Sequence, residues 1–311
     1  MEAFVTTGLV LKETRYKESD RILTILTPEL GVISAAAQSS LRLKSKLFSA
    51  CGLFCYSEFT LVPGRNMYTV REAEVKNVFH GISSSIEGMS LAMYMAEMAM
   101  TLSPTGQEAQ RELRLLLNCF YMISESKTDL RVIKAVFELR TMSECGFMPQ
   151  IVCCRDCSAY DGAAFYLDVQ EGHLLCADCA AKAGKTCNLD QGALYALRHI
   201  CLVDDKKIFA FKISVGSLEK LSAVAERYAL THMDKPLKSY DIFKDPAALS
   251  IKGTYGNKLL QKLWNWIRSL PVPQRAACAR KRAKCCLPLS RSATRTRCAM
   301  RWNRPMPSTP C

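Results

Sequence analysis

Short apolar or alternating runs, separated by turn residues, fill the first 80 positions of the chain. The turns at 28–31 and 63–66 each contain Pro and Gly, which fix φ or accept a positive φ. Alternation with a period of two is typical of strands with one buried face, and it covers 4–11, 21–26, 32–37, 51–61 and 67–75. Five short strands in this length predict a small closed barrel, either an OB-fold or another small β-barrel.

After His80 the apolar positions take the period of an amphipathic helix. The capping box Ser84-x-x-Glu87 predicts the start of a first helix, and Thr105-x-x-Glu108 predicts the start of a second. Three further helices are predicted over 129–145, from 190 onward and over 218–233. The region after the barrel is therefore expected to be a helical bundle.

Two CxxC pairs interrupt the helical pattern: Cys154 with Cys157 and, 18 residues later, Cys176 with Cys179. Each pair can place two thiolates on one side of a tetrahedral ion. Four sulfur ligands close the coordination sphere, so the spacing predicts a structural site for one zinc ion, with iron as the alternative. Disulfides are disfavoured because nothing indicates an oxidising compartment. The neighbours interpreted as lying outside the cluster are Cys153, Cys187 and a turn histidine, His173.

These patterns predict an α+β protein. Its N-terminal five-stranded OB-fold β-barrel, residues 1–80, is followed by an all-α bundle over 81–148 and 188–250. A four-cysteine zinc module over 149–187 is inserted into that bundle, and residues 251–311 form a basic tail that is expected to be disordered.

The net charge of +13 is unevenly distributed along the 311 residues. Residues 252–311 hold 14 Lys and Arg and no Asp or Glu, which leaves 28 basic against 29 acidic groups in residues 1–251. A basic tail could bind nucleic acid, and an out-of-frame extension is the alternative interpretation. The start lacks a basic, apolar leader pattern and no run of about 18 apolar residues occurs, so we expect a cytoplasmic protein without a membrane partner.

Basic residues in the barrel segment suggest a path for a phosphate backbone. Arg42, Lys44 and Lys46 alternate with leucines, so an extended chain would project three cations from one face. A second group around the first strand connection continues this path with Lys12, Arg15, Lys17 and Arg21. A merely solvated cationic loop is the alternative. The aromatic residues considered as stacking platforms are Phe48, Phe54, Tyr56 and Tyr68.

No constellation typical of an enzyme emerges from the sequence. The four histidines form neither an HExxH nor an HxE motif, which disfavours zinc proteases and zinc deaminases. Residues 184–186 resemble the end of a P-loop, but Cys179 stands where the motif needs its first glycine. We therefore expect a protein without catalytic turnover.

The stretch GLVLKETRYKESDR at 8–21, followed by LTPELG at 26–31, resembles the N-terminal signature of the bacterial RecO family. The sequence GFMP at 146–149, leading into the two CxxC pairs, resembles a later segment of that family. The resemblance covers about residues 1–245 and implies an OB-fold DNA-binding domain, a helical domain and a zinc module. It further implies a recombination mediator that contacts single- and double-stranded DNA and that binds and anneals single strands. As partners the resemblance implies RecR and single-strand DNA-binding protein, and it implies that the protein helps load the RecA recombinase.

The family positions carried over are the four cysteines and the basic loop residues Arg42, Lys44 and Lys46. Residues 37–40 read AQSS where the family often has a glycine-bearing basic loop, which lowers the local charge. The main alternative is a zinc-stabilised adaptor that works through proteins and has little intrinsic DNA affinity. A third hypothesis is a metal-dependent enzyme of unrecognised type. Steep salt dependence would indicate a DNA binder rather than an adaptor.

Overall fold

The computed structural model describes residues 2–244, and five strands at the N-terminal end close into a barrel. The strands are β1 (Phe4–Tyr16), β2 (Asp20–Thr27), β3 (Gly31–Ala37), β4 (Cys55–Val62) and β5 (Tyr68–Val78). They pair in the order β1-β2-β3-β5-β4, and β4 returns to β1. The β3–β5 pair is parallel and the others are antiparallel. This order, with the short helix α1 (Leu47–Ala50) between β3 and β4, is that of an OB-fold.

The barrel closes around inward-pointing side chains that alternate along much of its strands and are mostly apolar. The core includes Leu23 and Ile25 of β2, Ile33 of β3, and Phe59 and Leu61 of β4, each at most 5% exposed. Burial of each such side chain contributes roughly 1.5–3 kcal/mol. The small closed barrel predicted from the alternation is confirmed, and of the two alternatives it is the OB-fold.

The fourth predicted strand, 51–61, begins too early. Residues 47–50 form a helical turn, and β4 starts only at Cys55. Phe54, directly before it, has a φ of 62°, a left-handed conformation that cannot continue a strand. Its ring packs against Phe120 with centroids 5.0 Å apart, so an aromatic residue considered for stacking belongs to the core.

Seven more helices follow the barrel in the described residues. They are α2 (Ile86–Leu102), α3 (Gln110–Glu125), α4 (Leu130–Glu144), α5 (Ala177–Lys182), α6 (Gln191–Leu202), α7 (Val215–Thr231) and α8 (Lys238–Lys244). The bundle consists of all of these except α5, which belongs to the cysteine segment. The sequence pattern did not predict α8.

The two capping boxes are misplaced. Helix α2 is capped by Ser85, not by Ser84, because the Ser85 hydroxyl accepts a hydrogen bond from the Gly88 amide at 2.9 Å. Helix α3 begins at Gln110 and has no side-chain cap, so the box at Thr105 is wrong. The interpretation of residue 190 as a helix start is correct: Asp190 caps α6 and accepts from the Ala193 amide at 2.8 Å.

The loop between α2 and α3 bonds to the turn between β2 and β3. The amide of Val32 donates to the Pro104 carbonyl, and the amide of Ala109 donates to the Pro28 carbonyl, both at 2.9 Å. Gly31 lies between them with a φ of +63°, and a Cβ on it would come within 2.0 Å of the Pro104 oxygen. Glycine is therefore required at this barrel–bundle junction.

The cysteine segment forms a small sheet between α4 and α6 in the chain. Its strands pair in the order β6-β8-β7-β9 and comprise β6 (Gln150–Cys154), β7 (Ala164–Leu167), β8 (His173–Cys176) and β9 (Leu189–Asp190). This sheet and α5 are called the cysteine module below. Its place inside the helical region confirms the predicted α+β fold class with an inserted four-cysteine element.

A buried arginine of α6 attaches the cysteine module to the bundle. Arg198 is 5% exposed, and its guanidinium donates to the carbonyls of Ile151, Val152 and Tyr160 at 2.8, 2.8 and 2.6 Å. The same group lies 4.1 Å from the centre of the Tyr160 ring. These contacts hold β6 and the loop after it against α6.

A lysine and a glutamate are buried together in the centre of the bundle. Lys134 and Glu138 of α4 have side chains 2% and 0% exposed, and their Nζ and Oε1 atoms lie 2.7 Å apart. Lys134 also bonds to Glu226 of α7 at 2.9 Å, and the Tyr94 hydroxyl donates to Glu138 at 2.6 Å. Buried charges persist only when they are paired in this way.

Helix α8 is held at both ends by glutamates of other helices. The Glu97 carboxylate of α2 accepts from the backbone amides of Lys238 and Ser239, at 3.2 and 2.7 Å. The Glu226 carboxylate of α7 accepts from the Tyr240 hydroxyl at 2.8 Å and pairs with Lys244 at 2.7 Å. Tertiary contacts therefore stabilise a helix that is too short to form alone.

Within residues 2–244, no helix combines the length and the apolar character needed to cross a membrane. The predicted basic tail over 251–311 lies outside the described residues.

Candidate metal centre and nucleic-acid interface

The fold brings the sulfur atoms of both CxxC pairs together. All four Sγ atoms lie within 4.8 Å of one another, and those of Cys157 and Cys176 are 3.5 Å apart. A tetrahedral ion with sulfur at about 2.3 Å separates its ligands by about 3.8 Å, whereas a disulfide needs about 2.05 Å. The described thiols are free rather than paired, and the residues that could hold the ion are Cys154, Cys157, Cys176 and Cys179.

Local backbone geometry aims each CxxC pair at the common centre. After Cys154 the chain turns tightly: the Ser158 amide donates to the Cys154 carbonyl at 2.9 Å, and Ser158 has a φ of 59°. The Arg155 amide donates to the Leu174 carbonyl at 2.8 Å, which ties this turn to β8. Cys176 ends β8, and the following helix α5 carries the fourth thiol.

The electrostatics of the cluster favour a cation. Burial raises the pKa of the Cys154 thiol, but hydrogen bonds from backbone amides, that of Cys176 foremost, outweigh this and lower the pKa to about 6. Hydrogen bonding to Cys176 and Cys157 raises the pKa of the Cys179 thiol to about 12. Neighbouring sulfurs resist ionising together, and a bound divalent ion would remove this repulsion.

The nearby candidate ligands stay outside the cluster. Cys153 and Cys187 do not join the four sulfurs. His173 lies in strand β8, not in a turn as expected, and is 7% exposed. Its Nδ1 atom is 3.5 Å from the Arg155 guanidinium, so the ring contacts a cation rather than the cluster.

The loop that carries Arg42, Lys44 and Lys46 is not extended, so the alternation argument for this stretch is wrong. Residues 38–46 form consecutive turns. The Arg42 amide donates to the Ser39 carbonyl at 3.2 Å, and the Ser45 amide donates to the Arg42 carbonyl at 2.9 Å. All three cations are nevertheless exposed.

Hydrogen bonds join this loop to the β1–β2 hairpin. The Leu41 amide donates to the Ser19 carbonyl at 2.9 Å, and the Ser39 amide donates to the Asp20 carboxylate at 2.7 Å. Exposed cations from both segments therefore share one end of the barrel. The exposed cations of the two joined segments are together called the basic face below: Arg15, Lys17, Arg42, Lys44 and Lys46 near this end, and Lys12 further along β1.

Arg21 is absent from the basic face, although the sequence placed it there. Its side chain is buried, with a 2.8 Å ion pair from Nη1 to Glu13. Nη1 also donates to the Cys51 carbonyl, and Nη2 donates to the carbonyls of Ser40 and Phe48, at 2.8, 2.9 and 3.1 Å. The guanidinium thus binds both ends of the basic loop, which makes Arg21 a positioning residue.

Two family models together match most of the chain. The model described as "Recombination protein O N terminal" matches residues 1–79, the barrel. The model described as "Recombination protein O C terminal" matches residues 83–241, the bundle with the cysteine module. The chain belongs to the RecO family. Membership assigns it to DNA repair and recombination.

Several curated relatives carry the name "DNA repair protein RecO". The protein from Acetivibrio thermocellus is 32% identical over 244 residues, which cover 78% of this chain and 97% of that protein. The proteins from Dehalococcoides mccartyi and Alkaliphilus metalliredigens are 30% and 28% identical, over 70% and 74% of this chain and 86% and 94% of their own lengths. The similarity to RecO proteins thus extends over nearly the whole of these relatives.

The sequence of this RecO-family chain contains a signal that identifies Arg21 as buried. Arg21, Leu23 and Ile25 alternate along β2, and the two apolar residues face the core. A cation on the same side of the strand must therefore point inward at the end of the barrel. Tyr16, at the end of β1 and 51% exposed, is an aromatic residue on the surface that the sequence argument missed.

We expect Arg21→Lys to weaken single-strand binding although it conserves charge. The planar guanidinium bonds to three carbonyls and to Glu13, and a single ammonium cannot replace all of these hydrogen bonds. The loop therefore loses its fixed position, and the free energy of unfolding falls by about 1–3 kcal/mol. Urea unfolding and fluorescence anisotropy with an oligonucleotide measure the two effects. The control is Arg15→Lys, since Arg15 is exposed and should tolerate the change. Equal affinities for the two variants would contradict the positioning role.

Proposed function

We propose that this protein is a recombination mediator without catalytic turnover, which binds single-stranded DNA at the basic face and anneals complementary strands. One observation carries the proposal: hydrogen bonds join the loop to the hairpin at one end of the OB-fold barrel, and these two segments together carry six exposed cations. A row of cations on such a barrel suits a flexible phosphate backbone, which binds with release of counterions.

Annealing follows from charge screening on this surface. Two single strands repel each other through their phosphates, and a shared cationic surface lowers that repulsion while leaving the bases free to pair. The reaction needs no covalent step. By the same argument the protein contacts double-stranded DNA as the product, which it binds through phosphates alone.

The cysteine module is proposed to hold one structural zinc ion through Cys154, Cys157, Cys176 and Cys179. The separations between the sulfurs and the all-sulfur donor set support zinc at a closed tetrahedral site. When bound, the ion would crosslink β6, β8 and α5. Its role would be to maintain the fold of the module.

The partners are inferred from family membership. We propose that the protein acts with RecR, engages single-strand DNA-binding protein and helps load RecA, in the cytoplasm and associated with the nucleoid. The match of both family models along the chain supports these assignments. Purified RecR, single-strand DNA-binding protein and RecA, combined in a strand-exchange assay, provide the test.

The basic loop supplies the most direct test of DNA binding. We expect the variant in which Arg42, Lys44 and Lys46 are all replaced by glutamine to bind DNA more weakly. A plot of the logarithm of its binding constant against the logarithm of the salt concentration should be shallower by about 2, because each phosphate contact on a single strand contributes about 0.7 to this slope. Anisotropy titrations of an oligonucleotide from low to physiological salt measure this slope.

A matched control removes the same charge elsewhere: Lys206, Lys207 and Lys212, which are exposed outside the barrel, are replaced by glutamine. This variant should keep the slope of the unmodified protein.

A truncation after residue 251 removes the basic tail and should still bind and anneal strands. Weak, salt-insensitive binding by the unmodified protein would instead favour a zinc-stabilised adaptor that works through proteins.

A further inference from the structure

Leu43 is the most exposed large apolar side chain in the described residues, at 83%. It lies between Arg42 and Lys44, in the part of the basic face where the proposed function places a DNA strand. Single exposed leucines are ordinary on protein surfaces. Leu43 differs because cations flank it on both sides and would bring a polyanion directly onto it.

The loop that carries Leu43 is fixed before any ligand arrives. Arg21 holds both ends through the carbonyls of Ser40 and Phe48, at 2.9 and 3.1 Å. The amide of Leu41 is bonded to Ser19, as described above. A preformed loop pays little conformational entropy when it binds. Its apolar tip therefore projects from a loop whose two ends are held in place.

An exposed aromatic ring lies in the neighbouring hairpin. Tyr16 ends β1, and the Lys17 ammonium is 5.4 Å from the centre of its ring. Tyr16 is opposite Asp20, whose carboxylate accepts from the loop amide of Ser39. A ring beside a cation can stack on a base while the cation binds the adjacent phosphate.

We propose that Leu43 inserts between neighbouring bases of a bound single strand and that Tyr16 stacks on a base thereby released. This inference rests on the proposed function, because the ligand is the strand on the basic face. An apolar wedge of one side chain is enough to unstack one base step. Unstacked bases present their pairing edges, which annealing requires.

An anionic lipid surface is the other polyanion that cations flanking a leucine could meet. Stable attachment to a membrane needs an extended apolar face or a second anchoring signal. One leucine supplies little apolar area, whereas it suffices for a single base step. The observations therefore favour DNA.

The experiment uses the full-length protein and oligonucleotides that carry 2-aminopurine, whose fluorescence rises when it is unstacked. We expect the unmodified protein to raise this fluorescence at one step per bound site. Leu43→Ala should abolish most of the rise while keeping the salt slope, and Leu43→Met should retain it. The matched control is Val5→Ala, because Val5 is 62% exposed near the opposite end of β1.

Stacking of a base on Tyr16 is tested separately, by photocrosslinking and by affinity. A strand with 5-iodouracil should form a photocrosslink at Tyr16, located by mass spectrometry of the digested complex. Tyr16→Ala should bind about fivefold more weakly or worse, the usual loss for one stacked base. Tyr16→Phe should retain the affinity, because the ring and not the hydroxyl is used.

Three outcomes overturn the inference, and they are distinguishable. If the unmodified protein binds strands but Leu43→Ala and Val5→Ala behave alike, the wedge is wrong and the proposed function stands. If the unmodified protein does not bind strands, the proposed function fails together with the inference. If Leu43 is needed for binding phosphatidylserine vesicles and not for the fluorescence rise, the loop is a lipid contact.

Discussion

Full-length protein with Cys176→Ser is expected to lose the capacity to hold the proposed zinc ion and to unfold between β6 and β9. Structural zinc in small modules contributes on the order of 10 kcal/mol, and a hydroxyl is a poor replacement for the thiolate. Metal analysis by mass spectrometry gives ions per chain and also distinguishes zinc from iron. Limited proteolysis reports whether the module becomes cleavable.

Cys187→Ser is the matched control, since this half-buried thiol lies near the module and outside the cluster. It should keep one ion per chain and resist protease as the unmodified protein does. A strong chelator should reproduce the effect of Cys176→Ser on the unmodified protein. Full metal content and unchanged protease resistance in the Cys176→Ser protein would contradict a four-sulfur structural site.

The second large effect is expected from Lys134→Ala in the centre of the bundle. The change leaves Glu138, which is 0% exposed, without its cation, and breaking one side of a buried pair costs about 3–5 kcal/mol. Glu226 loses a partner as well. Burial raises the pKa of that carboxyl, but hydrogen bonds from Lys244 and Lys134 together lower it to about 2. Urea denaturation followed by circular dichroism measures the loss.

Two companion variants separate a buried charge from a surface one. Lys127→Ala breaks the exposed pair with Glu125, where the lysine is 78% exposed, and should leave the free energy of unfolding nearly unchanged. The double variant Lys134→Met with Glu138→Gln removes both buried charges and should recover a large part of the stability lost in Lys134→Ala. If Lys134→Ala and Lys127→Ala cost the same, the buried pair is not a major determinant of stability.

The features that depend on short-range pattern could be predicted from the sequence. The barrel strands follow from alternation, because inward positions must be apolar. The four-cysteine site follows from the spacing of the cysteines, because the two thiols of each CxxC pair are brought together by a single local turn of the backbone. Helix α4 and its N-cap Asp129 are also local, and the side chain accepts from the Arg131 amide at 2.8 Å.

The features that depend on contacts between distant residues could not be predicted in this way. The basic loop bends because Leu41 bonds to Ser19 and because Arg21 holds its ends, so a local alternation rule failed there. Helix α8 has seven residues and is held by Glu97, which is 142 residues from Ser239, and by Glu226 of the preceding helix α7. The prediction of a helix start at Thr105 was wrong because the backbone of this loop is hydrogen-bonded to the β2–β3 turn of the barrel.

Under the proposed function, the junction at Gly31 limits how a bound strand could be passed to another protein. Since the β2–β3 turn and the α2–α3 loop share backbone hydrogen bonds, rotation of the barrel against the helices would break several of them at once. A swinging-arm mechanism at this joint is therefore costly. A strand bound as proposed would instead be transferred by peeling of the DNA or by movement of the recipient.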